Sequence, residues 1–323
     1  MKDLPPRLTA LLYGYRASRI LLSAVELDLF SALKGGATSE AVARKVRASF
    51  RGVEILLNAL ATLGLVRKKG RKFFNTKESA EFLAEGGASD WRLGLGHHFG
   101  LWESWSRLTE VAKRGRPQER LSRTRAETDS FIGLMHQLGM LRAPQLARAL
   151  PLQGVRSVLD LGGGSGVYSI AIAKRKPDVR ITLLDRPQVI PLTRRYVASA
   201  GVRENFTFLE GDLTQDRFGS GFDLALISSI CHQFSPAENQ AFLKKAARAL
   251  NKGGRLAIHD FVLSDDRTSP VHAALFAVNM LVNTQGGNSY TLREYRDWLR
   301  RAGLKTVTFR RLSPFSDLVV ARK

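Results

Sequence analysis

The residues whose types and spacing suit chemistry begin at position 158. Val158–Leu159–Asp160–Leu161–Gly162–Gly163–Gly164–Ser165–Gly166 reads as a buried strand entering a glycine-rich turn, with a helix over Val167–Lys174. Glycines there let the backbone approach a ligand closely, and a helix N-terminus favours negative or polar groups. Gly162, Gly164 and Gly166 fit G-x-G-x-G better than the dinucleotide pattern G-x-G-x-x-G, because position 167 is valine. Asp185 closes the next strand, 19 residues past Gly166. A carboxylate at that place accepts hydrogen bonds from a ribose diol, which NAD and S-adenosylmethionine both present. Glu210–Gly211–Asp212 follows a third strand and sets Asp212 where an adenine amino group can donate to it. No Walker A sequence argues for a nucleoside triphosphate.

Other polar residues carry weaker signals. Asp160 reads as a brace for the glycine turn, and His259 as a packing residue. Cys231–His232 does not make a thiol nucleophile, since chain neighbours rarely face each other. His97–His98 lacks companions at metal-ligand spacing, so no metal site is expected. His232, taken alone at a strand end, is open between a structural and a chemical role.

These residues need a frame. From Val155 onward, short β-branched or leucine-rich runs alternate with helical stretches: Ser157–Leu161, Ile181–Leu184, Phe206–Leu209, Phe222–Ile227 and Arg255–Ile258. That rhythm predicts βαβ units and a parallel sheet. The end differs. After a helix at Leu292–Ala302, Thr306–Arg310 and Asp317–Val320 predict a hairpin that closes the sheet. Methyltransferase sheets carry such a strand pair and dehydrogenases generally lack it.

The first ninety residues read as helices with a small hairpin. Helices are expected at Leu8–Leu22, Ala24–Leu33, from Thr38 through Val46, and from Ser49 with Val53, Leu56, Leu57, Leu60 and Leu63 on one side. Leu65–Val66 and Phe73–Phe74 flank a basic turn, completing a winged-helix pattern. Positions 90–150 read as helical, with Trp91, His97, His98, Phe99, Trp102, Trp105, Phe131 and Met135 as an aromatic-rich group, interrupted by the basic loop Lys113–Arg125.

The 323 residues carry 50 Lys+Arg against 29 Asp+Glu, a net charge of +21. Such a surplus draws attention to nucleic acid, an anionic membrane or an acidic ligand. It is spread evenly: residues 1–150 hold 25 basic and 14 acidic side chains, and 151–323 hold 25 and 15. A nucleic-acid module concentrates its charge on one face or arm. The helix that would read DNA, Ser49–Leu63, offers only Arg51, Glu54 and Asn58 as long polar groups. Subunit packing explains it better, and neither a specific nucleic acid nor a membrane is an expected partner. The single cysteine, Cys231, forms no internal disulfide, which points to a reducing cytoplasm.

The motifs together resemble class I S-adenosylmethionine-dependent methyltransferases. They resemble in particular the small-molecule O-methyltransferases typified by caffeate, isoflavone and acetylserotonin methyltransferases and their bacterial relatives. The resemblance runs through ELDLF (26–30), NALATLGLV (58–66), LDLGGGSG (159–166), LLDRPQVI (183–190), EGDL (210–213), ICHQFS (230–235), GGRLAIHDFVL (253–263), NMLVNTQGG (279–287) and WLRRAGL (298–304), in the family's order. It implies an α/β fold. A doubly wound, Rossmann-like sheet with a terminal antiparallel hairpin would follow a mainly α winged-helix domain that dimerises. The implied organisation is 1–90 for dimerisation, 91–150 for a helical linker and pocket segment, and 151–323 for cofactor binding.

The same resemblance implies roles for individual residues. Gly162, Gly164, Asp185, Asp212 and Leu213 match cofactor positions, and Ser228 falls where the family has a cofactor-contacting lysine. His232 matches the general base and Asp260 one of two flanking acids. The second, a glutamate in the family, is Ser289 here. Phe131, Met135, Met280 and Thr284 match acceptor-lining positions. The implied reaction moves a methyl group from S-adenosylmethionine to a hydroxyl of a small acceptor, aromatic or polyketide-like, in a homodimer, leaving S-adenosylhomocysteine. A neutral imidazole with a pKa of roughly 6.5 suits deprotonation of a phenol of pKa about 10 near neutral pH. Two other functions remain open from sequence. One is C- or N-methylation, or a relative that keeps the cofactor without methylating. The other is a winged-helix DNA regulator that senses the cofactor.

Overall fold

The structure, a computed structural model, describes residues 3–118 and 124–323 and divides into two compact units, Met1–Leu101 and Trp102–Lys323. The first unit begins with α1 (Pro6–Glu26) and the short α2 (Leu29–Ala32). The chain breaks between them at Asp28, which takes a left-handed φ of 54°, a region Asp tolerates better than most residues. This break falls inside the helix expected at Ala24–Leu33. β1 (Ala37–Thr38), α3 (Ser39–Lys45), α4 (Phe50–Thr62), β2 (Val66–Lys69), β3 (Lys72–Asn75) and α5 (Lys77–Phe82) follow. The helix starts lie where the sequence marks them: Thr38 accepts from the Ala41 N–H at 3.3 Å and Ser49 from the Gly52 N–H at 3.1 Å. The wing has three strands in the order β1-β3-β2 rather than two, because Ala37–Thr38 is too short to announce itself by pattern. Val53, Leu57 and Leu60 of α4 pack with Phe30, Leu33, Val42 and Phe73, whereas Leu63, on the last turn, is exposed.

α6 (Arg92–Ser106) spans the division between the units. Phe99 packs on the first unit's core, while Trp105 in the second donates its indole N–H to Asn279 at 3.0 Å. Lys113 and Arg114 end α7 (Leu108–Arg114), and Gly115 stops it with a φ of 74°. Positions 119–123 of the expected basic loop lie outside the described residues. α8 (Arg125–Ala149) then opens on a capping box between Thr124 and Glu127.

The second unit continues with β4 (Ser157–Leu161), α9 (Val167–Arg175), β5 (Arg180–Asp185), α10 (Ile190–Ser199), β6 (Phe206–Glu210), β7 (Phe222–Ser228), α11 (Pro236–Ala249) and β8 (Leu250–Asp260). It closes with β9 (Val262–Leu263), α12 (Val271–Asn283), β10 (Tyr290–Thr291), α13 (Leu292–Arg301), β11 (Lys305–Ser313) and β12 (Ser316–Arg322). The main sheet has seven strands in the order β11-β12-β8-β7-β4-β5-β6. β4 through β8 pair in parallel, and the β11–β12 hairpin adds antiparallel to β8, as the terminal pattern predicts. β4 and β7 are neighbours although α9, β5, α10 and β6 intervene in the chain. The strand order thus reverses between them, which opens a crevice at their carboxyl ends. Leu159, Leu161, Ala225, Ile227, Leu256 and Ile258 pack on one face, and Val158, Leu224, Leu226 and Ala257 on the other. Burial on both faces explains why these strands read as continuous apolar runs.

Candidate active site

The glycine turn leaves β4 at this crevice. Gly162 (φ 71°) and Gly164 (φ 57°) take left-handed backbone, and the Gly162 N–H donates to Leu184 O at 2.8 Å. A Cβ on Gly162 would stand 2.5 Å from Ile230 Cδ1 and 3.4 Å from a Leu213 methyl. Only glycine fits there. Asp185, at the end of β5, accepts the Gly164 N–H at 2.7 Å on Oδ2 and the Arg186 N–H at 2.7 Å on Oδ1. Burial nevertheless raises its pKa, the two N–H groups opposing that rise. Asp160, 2% exposed, accepts from Ser169 Oγ at 2.6 Å beneath the turn, and burial pushes its carboxyl up to about 7. This is the brace expected from sequence. Asp212 is exposed and held by its own turn, accepting the Thr214 N–H at 2.7 Å, and its pKa is lowered chiefly by the hydrogen bond from the Thr214 side chain. Leu213 is buried against the turn.

His232 sits in a short helical turn, Cys231–Gln233, just past β7, and is 6% exposed. Its Nδ1 lies 2.7 Å from Asp260 Oδ1, at the end of β8. A carboxylate accepts, so Nδ1 carries the proton and Nε2 keeps its lone pair. Asp260 also accepts the backbone N–H of Phe261 at 2.9 Å and that of His232 at 3.3 Å, so the buried carboxylate is satisfied. The imidazole stands edge-on to Phe276, centroids 4.9 Å apart, with Phe261 at 5.9 Å.

The segment after α12 presses on this histidine. Thr284 Oγ1 donates to Met280 O at 2.7 Å and accepts the Gly287 N–H at 2.9 Å. A Cβ on Gly287 would come within 2.3 Å of His232 O, and the Asn288 N–H donates to that same oxygen at 2.9 Å. The Thr284 hydroxyl thus spends its bonds on the turn that seats His232. Ser289, at the place of the family's second acid, is fully buried and donates to Ala273 O at 2.8 Å. It makes no bond to His232 and pins α12 instead.

The remaining candidates lie on α8, α12 and β7. Phe131 is half-buried against Ile132, Val189 and Leu192, Met135 is half-buried one turn on, and Met280 is buried on α12. Ser228 is buried at the end of β7, its Oγ without a hydrogen-bond partner. Sequence reasoning missed two residues here. His136 Nδ1 meets Ser165 Oγ of the glycine turn at 3.0 Å, and its ring stacks on Tyr196 at 3.9 Å. Phe276 lies one helical turn before Met280, a spacing that a search along the α12 stripe would have found.

Comparison with known proteins identifies the family. A family profile for the O-methyltransferase domain matches residues 112–305, and one for the O-methyltransferase dimerisation domain matches residues 9–85. The chain is 34% identical to 3-hydroxy-5-methyl-1-naphthoate 3-O-methyltransferase of Streptomyces sahachiroi, over 98% of this chain and 94% of that protein. It is 29% identical to L-tyrosine C(3)-methyltransferase of Streptomyces lavendulae, over 94% of this chain and 87% of that one. The crystal structure of human N-acetylserotonin methyltransferase in complex with S-adenosylmethionine superposes with a TM-score of 0.88 at 25% identity, covering 100% of this chain and 98% of the human one. With its glycine turn, its His232–Asp260 pair and both family domains in order, this chain belongs to the O-methyltransferase family.

Proposed function

We propose that this O-methyltransferase moves the methyl group of S-adenosylmethionine to a hydroxyl of a small aromatic or polyketide-like metabolite, with His232 as general base. The observation that carries this is the buried 2.7 Å bond from His232 Nδ1 to Asp260. It leaves Nε2 as the one ring atom able to take a proton. Asp260 fixes the tautomer and steadies the imidazolium that forms. Phe276 and Phe261 hold the ring in an apolar setting that suits a flat acceptor.

The residues present fit the cofactor. Gly162 and Gly164 leave side-chain-free backbone at the turn, Asp185 retains lone pairs beyond its two N–H bonds, and the buried Ser228 hydroxyl awaits a partner. These residues, with Asp212 and Leu213, would hold it. When bound, it supplies a methyl group on a positively charged sulfur. The chain's part is to hold the acceptor in line with that methyl and to remove the hydroxyl proton.

Leu8, Leu11, Leu12 and Tyr15 stand exposed at helical spacing on α1, which supports a homodimer formed through the first unit. Asn58, one of few polar groups on α4, is already taken by the wing's Lys68 at 2.8 Å, which favours subunit contact over a DNA groove. The proposed division of labour keeps 1–90 for dimerisation, 91–150 as linker and pocket segment, and 151–323 for the cofactor. Among the described residues no helix is long and apolar enough to cross a membrane. The lone, fully buried Cys231 supports a cytoplasmic location.

The test is His232→Ala with a phenolic acceptor such as a naphthol. The variant should lose about 10²–10⁴-fold in kcat while binding S-adenosylhomocysteine as before. Unchanged turnover would remove His232 from the mechanism.

A further inference from the structure

A group of hydrogen-bond donors lies beside the proposed reaction centre, and of its members the chemistry above uses only Ser228, as a cofactor contact. His259 of β8 is 1% exposed, yet neither ring nitrogen has a hydrogen-bond partner. Its register partner on β7 is Ser228, whose buried hydroxyl is equally without one. Tyr168 of α9 stands edge-on to the His259 ring at 5.0 Å, and the Arg142 guanidinium of α8 lies beside the Tyr168 hydroxyl. Gly139, one turn before Arg142, permits this approach: a Cβ there would meet Val167 at 2.3 Å.

The acids nearby are committed elsewhere. Asp160 holds Ser169, Asp260 holds His232, and Asp317 holds Arg311 and the Val262 N–H. Arg142 makes no ion pair among the described residues. Burial pushes the His259 imidazole down to about 4 and the Tyr168 hydroxyl up to about 12, so both are neutral near pH 7. Each then offers a hydrogen to an acceptor. One unpaired cation and three unspent donors match an anion with two oxygens, although Asp160 and Asp260 also lie within electrostatic reach of Tyr168 and Asp260 within that of His259. Native interiors rarely leave such groups unmet.

Arg142 also continues the acceptor face of α8. Phe131, Met135 and Arg142 fall at i, i+4 and i+11, on one side of the helix. We propose that Arg142, Tyr168, His259 and Ser228 form a subsite for a carboxylate of a bound small molecule. The carboxylate belongs either to the acceptor or to the amino-acid end of the cofactor, and the inference rests on the methyl-transfer function proposed above.

The experiment measures ligand binding to wild type, Arg142→Leu and Arg142→Lys by calorimetry. One arm compares a hydroxynaphthoate with the matching naphthol on protein saturated with S-adenosylhomocysteine. The other compares S-adenosylhomocysteine with its decarboxylated analogue. Arg142→Leu should weaken the carboxylated ligand of one arm by about tenfold or more, the worth of a charged hydrogen bond, and leave its carboxylate-free counterpart unchanged. Arg142→Lys, which keeps charge without the fork, should recover part of the loss. The affected arm names the source of the carboxylate. Equal effects within each pair, or none, would overturn the subsite. If Arg142→Leu does not fold, Tyr168→Phe replaces it with the same comparison. Wild-type turnover of the naphthol tests methyl transfer separately, so failure there leaves the binding result standing.

Discussion

The glycine turn and the residues proposed to line the acceptor are built in opposite ways. The turn is one contiguous stretch, 162–166, shaped by backbone and clamped by backbone-directed bonds: Gly162 N–H to Leu184 O, Gly164 N–H to Asp185, and Thr193 Oγ1 to Gly164 O at 2.6 Å. The residues proposed to line the acceptor are side chains far apart in sequence: Phe131 and Met135 on α8, His232 after β7, Phe261 after β8, and Phe276 and Met280 on α12. Backbone shape depends on a few glycines and admits little variation. A wall of side chains can be altered one residue at a time. The cofactor half of such a protein is therefore the constrained half, and the acceptor half the one free to change substrate. The relatives are consistent with this, one methylating a naphthoate hydroxyl and another a tyrosine ring carbon.

The sharpest way to separate the two regions is Asp260→Asn. Its amide would offer an N–H or a neutral oxygen to His232 Nδ1, losing the carboxylate that fixes the tautomer. Turnover should fall about 10²–10⁴-fold with S-adenosylhomocysteine affinity unchanged, as calorimetry would show. A parallel loss of cofactor binding would mean that the regions are not independent. Gly162→Ala attacks the other side. Its Cβ would clash with Ile230 and its φ of 71° is strained for alanine, at a cost of about 1–2 kcal/mol from the backbone alone. The expected result is a lower melting temperature and lost cofactor binding; normal binding would show that the turn yields more than its packing suggests.

The smallest effect is predicted for Asp160→Asn. The Asp160 carboxyl is raised from 3.8 to about 7 by burial, so the folded state holds a proton that the unfolded chain releases. Stability should therefore fall as pH rises from about 4 to about 7 and then level off. Asparagine can still accept from Ser169 and carries no charge to bury. The variant should melt higher than wild type at pH 8 and the same at pH 4. A pH-independent difference would show that Asp160 is ionised in the folded protein throughout.

Much of the catalytic unit was legible in sequence because its strands are buried on both faces and its turns use glycine. The five parallel strands and the closing hairpin lie where apolar runs and breakers put them, with ends shifted by a few residues. The α1–α2 break at Asp28 and the strand at Ala37–Thr38 were not legible. Each depends on what packs against it rather than on local pattern. His136 gave no signal either, since its partner Ser165 is 29 residues away.

Sequence by itself determined the order of elements, the glycine turn and the acids that follow the strands, because backbone conformation and two-sided burial leave local marks. Tertiary structure alone decided which polar groups meet. It spent the Ser289 hydroxyl on Ala273 and left both nitrogens of the packed His259 without a partner, while the His232–Asp260 pair was already implied by the family resemblance. Hydrogen bonds form across strands and between helices, so their partners are fixed by register and approach, which no single stretch of sequence contains.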